Sequence, residues 1–276
     1  MKLGVTLPNF RDDAEPALAV ARAAEAAGLD GVFGFDHLFR RAFDGALRPA
    51  LEGLTLLGAV AAETNRIAFG PLVARAALRP PATLAAALDT LARIAPGRLI
   101  ATIGAGDSES REENETFGLP FRTLGERVAA LADAVDTAID RGYPVWVGGA
   151  SASVGAVAAG ADGWNRWGAT LERFEQEMRA VREMHTREPF TVSWAGLVVL
   201  GATQREAEAK AQRLGGSPEA TVGDPERVAE VLRAYGDAGA DWVIVGPVDS
   251  SDPENATALG ERVKPLLSAG GRAPLE

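Results

Sequence analysis

Short apolar segments alternate with alanine-rich amphipathic segments along almost the whole chain of 276 residues. The apolar segments are rich in β-branched residues, whereas the alanine-rich segments repeat apolar residues at helical spacing. This alternation is typical of repeated βα units, whose strands form a parallel sheet. A closed barrel of such units needs about 250 residues, so the length favours one domain of this kind.

Strands are predicted at residues 2–7, 32–35, 67–73, 98–104, 145–147, 162–165, 190–200 and 242–245. Helices are predicted at 14–27, 49–64, 82–94, 122–141, 172–185, 205–214, 225–235 and 256–268, and 39–48 and 105–120 are predicted loops. An open doubly wound sheet is the alternative, but the first strand is not followed by a Gly-x-Gly-x-x-Gly turn. The sequence therefore predicts an α/β fold, a (β/α)8 TIM barrel, as a single domain over 1–276, with 270–276 as a flexible tail.

Composition excludes several kinds of site. The chain has no cysteine, which excludes disulfides, iron–sulfur clusters and thiolate zinc sites, and its two histidines are too few for a histidine-rich metal site. The absence of lysine at the early strand ends weakens a Schiff-base aldolase. A net charge of -10 argues against nucleic acid as a partner, and no apolar run is long enough for a membrane span, so we expect a cytoplasmic protein without a bound metal.

The carboxyl end of the second predicted strand carries an acid and an imidazole, Asp36 and His37. Active sites of TIM barrels lie at this end of the strands, and histidine transfers protons near neutral pH. His37 is therefore a candidate catalytic residue with Asp36 beside it, although a buried structural imidazole would also explain the position. The second histidine, His185, ends a predicted surface helix and receives no role.

Two glycine-rich turns follow the fourth and fifth predicted strands, Gly104-Ala105-Gly106 and Gly148-Gly149-Ala150. The second turn precedes a short helix, where free backbone N–H groups can bind a phosphate. An ordinary strand-to-helix turn explains the same residues. For the first turn, a bulge is the alternative to close approach by a ligand.

Six short motifs resemble the luciferase-like monooxygenase superfamily, and more narrowly its actinobacterial branch that uses the deazaflavin coenzyme F420. They are Asp36-His37-Leu38, Leu78-Arg79-Pro80-Pro81-Ala82, Gly97-Arg98-Leu99-Ile100 with Gly104-Ala105-Gly106, Phe117-Gly118-Leu119-Pro120-Phe121, Val145-Trp146-Val147-Gly148-Gly149 and Ala161-Asp162-Gly163-Trp164. They follow one another in the family's order over residues 1 to about 170, and the remainder matches only in pattern.

The resemblance implies a flavin or deazaflavin across the barrel mouth, with hydride transfer to or from a small organic substrate. It places the phosphate at Gly148, Gly149 and Ala150, and the ring against Val73, Ala74, Gly104, Ala105 and Gly106, with Trp164 also in contact. It also implies a non-prolyl cis peptide near Val73-Ala74. His37 would donate or accept a proton, and Asp36 would orient it.

Two departures from the family pattern leave alternatives open. The helix after the fourth strand keeps only Arg127 of its usual charged pattern, and Arg141-Gly142-Tyr143 runs directly into the fifth strand, without the usual insertion. The alternatives are an FMN-dependent luciferase-like monooxygenase, a non-catalytic flavin- or deazaflavin-binding barrel, and an unrelated barrel enzyme such as an isomerase.

F420 is favoured as the cofactor because the alanine-, arginine- and glycine-rich composition suggests an actinobacterial source. Arg75, Arg79 and Arg166 are the cations predicted to attract its acidic tail. The apolar content of the second and third helices, together with the resemblance, predicts a homodimer.

Overall fold

The computed structural model describes residues 1–41, 46–107, 110–215 and 219–268. In chain order the strands are β1 (Lys2–Thr6), β2 (Gly31–Gly34), β3 (Phe39–Arg41), β4 (Leu47–Pro49), β5 (Ala68–Pro71), β6 (Ala74–Arg75), β7 (Ala101–Gly104), β8 (Val145–Gly148), β9 (Gly163–Trp167), β10 (Thr191–Leu200), β11 (Thr221–Gly223) and β12 (Trp242–Pro247). The helices are α1 (Glu15–Ala26), α2 (Gly53–Glu63), α3 (Pro81–Ile94), α4 (Ser110–Thr116), α5 (Leu124–Ala138), α6 (Ala152–Ala158), α7 (Leu171–Met184), α8 (Gln204–Arg213), α9 (Pro225–Asp237), α10 (Pro253–Ala258) and α11 (Lys264–Ser268). A 3-10 turn at Ala76–Leu78 precedes α3, and a π-helical segment at Leu259–Val263 joins α10 to α11.

The parallel strands form one sheet in the order β5-β2-β1-β12-β10-β9-β8-β7-β6. β5 and β6 are two parts of the third barrel strand, and they pair with β2 and β7 respectively, so this strand closes the barrel. β11 is an additional parallel strand on β10, and β3 and β4 form a separate antiparallel hairpin. The predicted (β/α)8 barrel is confirmed, with each barrel strand delivering its carboxyl end to the same mouth.

The barrel lumen is filled by side chains that alternate with those facing the helices. Its apolar cluster consists of Phe33, Leu72, Ile100, Trp146, Ala195, Trp242 and Ile244. The Trp242 ring makes edge contacts with Phe33 and Trp146, each with ring centroids 5.9 Å apart. The lumen is therefore a packed core rather than a channel.

The β2–α2 connection differs from its prediction. Pro49 does not begin a helix, because it ends β4 and pairs with Phe39 in the hairpin. α2 begins at Gly53 instead, and the Glu52 side chain caps it by accepting a hydrogen bond from the Thr55 N–H group. The predicted loop 39–48 thus contains β3 and most of β4, which pair with each other beside the barrel mouth.

Two further segments also differ from prediction. The predicted loop 105–120 contains helix α4. β7 is shorter than predicted, since it begins at Ala101, after the turn at Gly97, whose φ of +75° suits glycine. The predicted tail, 270–276, lies outside the described residues, and in the described part no helix combines the length and apolarity of a membrane span.

Candidate functional site

His37 and Glu113 form a hydrogen-bonded pair at the barrel mouth. His37 follows β2, Glu113 lies on α4, and His37 Nδ1 is 3.0 Å from Glu113 Oε2. The carboxylate is buried, with 4% of its side chain exposed, whereas 29% of the His37 side chain is exposed. Glu113 lies in the segment that was predicted as a loop, 105–120, but there it is part of a helix and its carboxylate faces inward. The pair joins positions that are 76 residues apart in sequence.

The environment of Glu113 keeps it ionised. Burial alone would raise the pKa of Glu113, but hydrogen bonds from His37 and Leu38 N–H and the charge of Arg75 outweigh burial and hold that pKa below its usual value. Arg75 Nη2 donates to Glu113 Oε1 at 2.9 Å. Because an ionised carboxylate only accepts hydrogen bonds, His37 carries a proton on Nδ1. Its Nε2 has no hydrogen-bond partner among the described residues.

Asp36 does not orient His37, contrary to prediction. Its buried carboxylate accepts hydrogen bonds from the Arg75 N–H group at 2.9 Å and from both terminal nitrogens of Arg79 at 2.7 and 2.9 Å. Neighbouring residues of an extended chain point to opposite sides, which separates Asp36 from the imidazole of His37. Asp36 therefore joins the end of β2 to β6 and the segment before α3, and Glu113 has the orienting position.

The three arginines predicted to attract an acidic tail are each paired with carboxylates of the chain itself. Their partners are Glu113 for Arg75, Asp36 and Glu52 for Arg79, and Glu177 for Arg166. Burial tends to lower the pKa of Arg79, but its carboxylate partners raise it above the usual value. These arginines stabilise the mouth, so they are not unpaired cations for a ligand. Among the described residues no group of three or more His, Asp or Glu side chains could hold a metal ion.

Val73 occupies the space that Gly104 and Gly148 leave. The cis peptide is Leu72–Val73, one bond before the predicted position. A Cβ atom at Gly148 would come within 2.3 Å of Val73 Cγ1, and one at Gly104 within 2.4 Å of Val73 Cγ2. These glycines are therefore required by the Val73 side chain, which forms one wall of the mouth with them.

The alanines of the predicted ring site face the other side of the sheet. Ala74 and Ala105 are buried in the layer between strands and helices. Gly106 has a φ of +74°, and a Cβ atom there would meet only Arg75 Cδ, at 3.6 Å. The structure thus brings Val73, Gly104 and Gly148 together and places the alanine side chains behind them.

The turn from β8 to α6 is formed by Gly149, Ala150 and Ser151. Gly149 has a φ of +148°, and its N–H group donates to Asn165 O at 3.1 Å. The Ser151 hydroxyl caps α6 by accepting from Val154 N–H at 3.3 Å. A cavity of about 590 Å³ adjoins this turn and extends between α6 and α7, where Thr170, Arg173 and Gln176 are among the lining residues.

Trp164 supports the same turn from the side of the helices. Its indole N–H group donates to Gly149 O at 3.0 Å, and its ring stacks on Phe174 with centroids 6.1 Å apart. The side chain is buried, and it lines the cavity beside α7.

An aromatic group at the mouth was not predicted. Phe10 lies 5.7 Å from the His37 ring and 5.9 Å from the Phe35 ring, measured between centroids. Phe35 in turn contacts Trp167 edge-on at 5.8 Å, although β2 and β9 are on opposite sides of the barrel. These rings divide the mouth and place His37 on the side of β6 and β7. A sequence signal existed, because each aromatic residue follows or ends a strand.

The family model for luciferase-like monooxygenases matches residues 1–219, most of the chain. The chain belongs to the luciferase-like monooxygenase family. This luciferase-like chain is 41% identical to an F420-dependent glucose-6-phosphate dehydrogenase of Beutenbergia cavernae over 119 residues, which cover 43% of the chain and 34% of the relative. It is 35% identical to the enzyme of the same name from Nakamurella multipartita over 130 residues, 47% of the chain and 36% of the relative. The chain thus spans about a third of the length of these curated relatives.

Solved structures share the fold of this luciferase-like chain. An F420-dependent secondary alcohol dehydrogenase, in complex with an F420-acetone adduct, superposes with a TM-score of 0.79 at 16% identity. The superposition covers 96% of this chain and 98% of the dehydrogenase chain. At this identity the similarity establishes the fold alone.

Proposed function

We propose that this luciferase-like protein is an F420-dependent oxidoreductase that transfers a hydride between the deazaflavin and a small organic substrate. The observation that carries the proposal is the His37–Glu113 pair at the mouth of a barrel of this family. The names of the F420-dependent relatives support the choice of cofactor.

The residues of the mouth fit a flat cofactor that ends in a phosphate. The side chain of Val73, backed by Gly104 and Gly148, offers an apolar surface for a ring. In the turn after β8 the Gly149 N–H group is bonded to Asn165 O, and the N–H groups of Ala150 and Ser151, beside a cavity, suit a phosphate without requiring a cation. We therefore assign the ring to Val73 and Gly104, and the phosphate to Gly148, Gly149 and Ala150.

The protein residues supply the proton transfer. His37 Nε2 would accept the proton of a substrate hydroxyl during oxidation and return it during reduction. Glu113 would stabilise the resulting imidazolium, since it stays ionised and accepts the Nδ1 proton. Arg75 and the Leu38 N–H group keep the carboxylate of Glu113 in place. When bound, the deazaflavin would accept or donate the hydride.

Replacing His37 tests this role. His37→Gln should lower kcat about 100-fold or more, because general acid–base catalysis typically contributes this much. The F420 dissociation constant should stay within about twofold, since His37 transfers a proton and does not anchor the cofactor. Alcohols and sugar phosphates with F420, and enones, imines and aldehydes with reduced F420, form the substrate panel.

His185→Gln is the matched control, because His185 is the second histidine and is bonded to Glu188 outside the mouth. It should leave kcat and F420 affinity unchanged. Undiminished turnover in His37→Gln would remove His37 from the mechanism, whereas wild-type F420 binding without turnover of any panel substrate would favour a non-catalytic barrel.

Spectral titration with F420 and FMN decides the cofactor. Saturable binding of F420 is expected, and tight binding of FMN with none of F420 would favour the flavin-dependent monooxygenase.

A homodimer and a cytoplasmic location stay predictions, which light scattering and cell fractionation test.

A further inference from the structure

The hairpin beside the mouth carries two exposed arginines that form no ion pair with a described carboxylate. Arg40 on β3 is the direct cross-strand partner of Arg48 on β4. Cross-strand partners of an antiparallel pair project from the same face, with Cβ atoms about 5 Å apart, and like charges there are destabilising. In the described part of the chain neither guanidinium has an ion-pair partner, although the chain has 38 acidic against 28 basic residues.

The opposite face of the hairpin is occupied by contacts with α4 and the residue that follows it. Arg41 pairs with Glu112, and the Phe39 ring stacks on Phe117 with centroids 6.3 Å apart. Since side chains alternate along a strand, the arginine pair must project from the other face, away from α4. One face of the hairpin therefore packs against the protein, and the other presents two cations.

Arg40 and the proposed proton-transfer group, His37, both contact the ring of Phe10. Its guanidinium carbon lies 5.4 Å from the centroid of the Phe10 ring, and that ring is 5.7 Å from the ring of His37. A cation over an aromatic face is favourable, and the contact directs this arginine toward the mouth. The position contrasts with Arg75, whose guanidinium is buried against Glu113.

We propose that Arg40 and Arg48 bind an oxyanion, a carboxylate or phosphate group, of the substrate next to His37. The inference rests on the proposed function and names its substrate class: small organic anions. Arginine forks bind carboxylate and phosphate oxygens in pairs, and a bound anion removes the repulsion between the two guanidinium groups. The acidic tail of the cofactor offers the same chemistry, so the test separates the two sources.

The first test uses inorganic phosphate and needs neither cofactor nor turnover. Phosphate is titrated at constant ionic strength while NMR follows the imidazole signals of the two histidines, assigned with His185→Gln. We expect a saturable shift of the His37 signal in the wild type. Arg40→Gln/Arg48→Gln should weaken the apparent affinity roughly tenfold or more, because each charge-assisted hydrogen bond is worth more than a neutral one.

Arg66→Gln is the matched control, because Arg66 is exposed and lies just before β5, at the opposite end of the barrel. It removes one charge of the same kind, against two in the double variant, and should leave phosphate affinity unchanged. Absence of a saturable shift in the wild type, or an equal loss in Arg66→Gln, would overturn the proposal.

The second test measures F420 affinity in the same variants. An F420 dissociation constant that changes less than about twofold in Arg40→Gln/Arg48→Gln supports substrate recognition, whereas a rise of roughly tenfold assigns the pair to the cofactor tail and overturns it. Because phosphate binding is read without cofactor, this inference can fail while F420 binds, and it can succeed while the cofactor assignment fails.

Discussion

The two edges of the barrel mouth are built on different principles. At the edge formed by β2, β6 and α4, charged side chains are buried together, and Glu113 connects Arg75 to His37. At the edge formed by β8 and α6, the missing side chains of Gly148 and Gly149 leave room for those of Val73 and Val154. Charges thus fix the position of the imidazole at one edge, whereas missing side chains provide space at the other. Removing a charged partner should therefore destabilise the first edge, and adding a methyl group to a glycine should destabilise the second.

The largest effect is expected from Glu113→Gln. This change leaves the Arg75 charge buried without its partner, and breaking a buried ion pair costs about 3–5 kcal/mol of unfolding free energy. Glu112→Gln is the control, because its ion pair with Arg41 is exposed and should contribute less than about 1 kcal/mol. Equilibrium urea unfolding measures both, and equal losses in the two variants would contradict a charge-built edge.

A smaller effect is expected from Gly148→Ala at the other edge. The added methyl group would collide with Val73, and overpacking of this kind costs about 1–3 kcal/mol. In a Val73→Ala background the same substitution should cost much less, so a double-mutant cycle in urea measures the coupling. Gly125→Ala is the control, since a Cβ atom there meets nothing within 4 Å. Additive losses from Val73→Ala and Gly148→Ala would show that Val73 does not occupy the space above Gly148.

Ser151→Ala should have a still smaller effect, about 1 kcal/mol, through loss of the helix cap. Thr123→Ala sharpens the comparison, because Thr123 caps α5 in a reciprocal arrangement with Glu126 and should cost at least as much. Thermal unfolding followed by circular dichroism ranks the two variants. If Ser151→Ala lost more unfolding free energy than Glu113→Gln, the predicted order of the two edges would be reversed.

The smallest change in unfolding free energy is expected when the pH is lowered. Since the pKa of Glu113 is lower in the folded protein than in the unfolded chain, its stabilisation is present above the unfolded value of about 4.3 and is lost as the pH falls through the folded value. The difference in unfolding free energy between the wild type and Glu113→Gln should therefore narrow below about pH 4. Urea unfolding at a series of pH values measures it, and a difference that is constant down to about pH 3 would contradict the ionised state.

Much of the fold was predictable because its signals are local. The period of the apolar residues located every barrel strand, even where the ends shifted by a few residues. The hairpin of β3 and β4 was missed, since three-residue strands have too short a pattern to distinguish them from a loop.

The candidate site was less predictable, because its decisive contact is not local. His37 was found from its place at a strand end, but Glu113 stands among several acidic residues without a periodic pattern. Its burial depends on Arg75, which comes from a different strand. A buried arginine at a strand end requires an internal acid, and this rule would have indicated a carboxylate partner without identifying which one.

The His37 imidazole and the Glu113 carboxylate belong to two separate segments of the chain, one after β2 and one after β7. The Phe39–Phe117 stack and the Arg41–Glu112 ion pair connect these two segments. Any opening of the mouth that parts them also takes the carboxylate away from the imidazole. The orientation of the His37 ring therefore depends on the contacts that hold these two segments together.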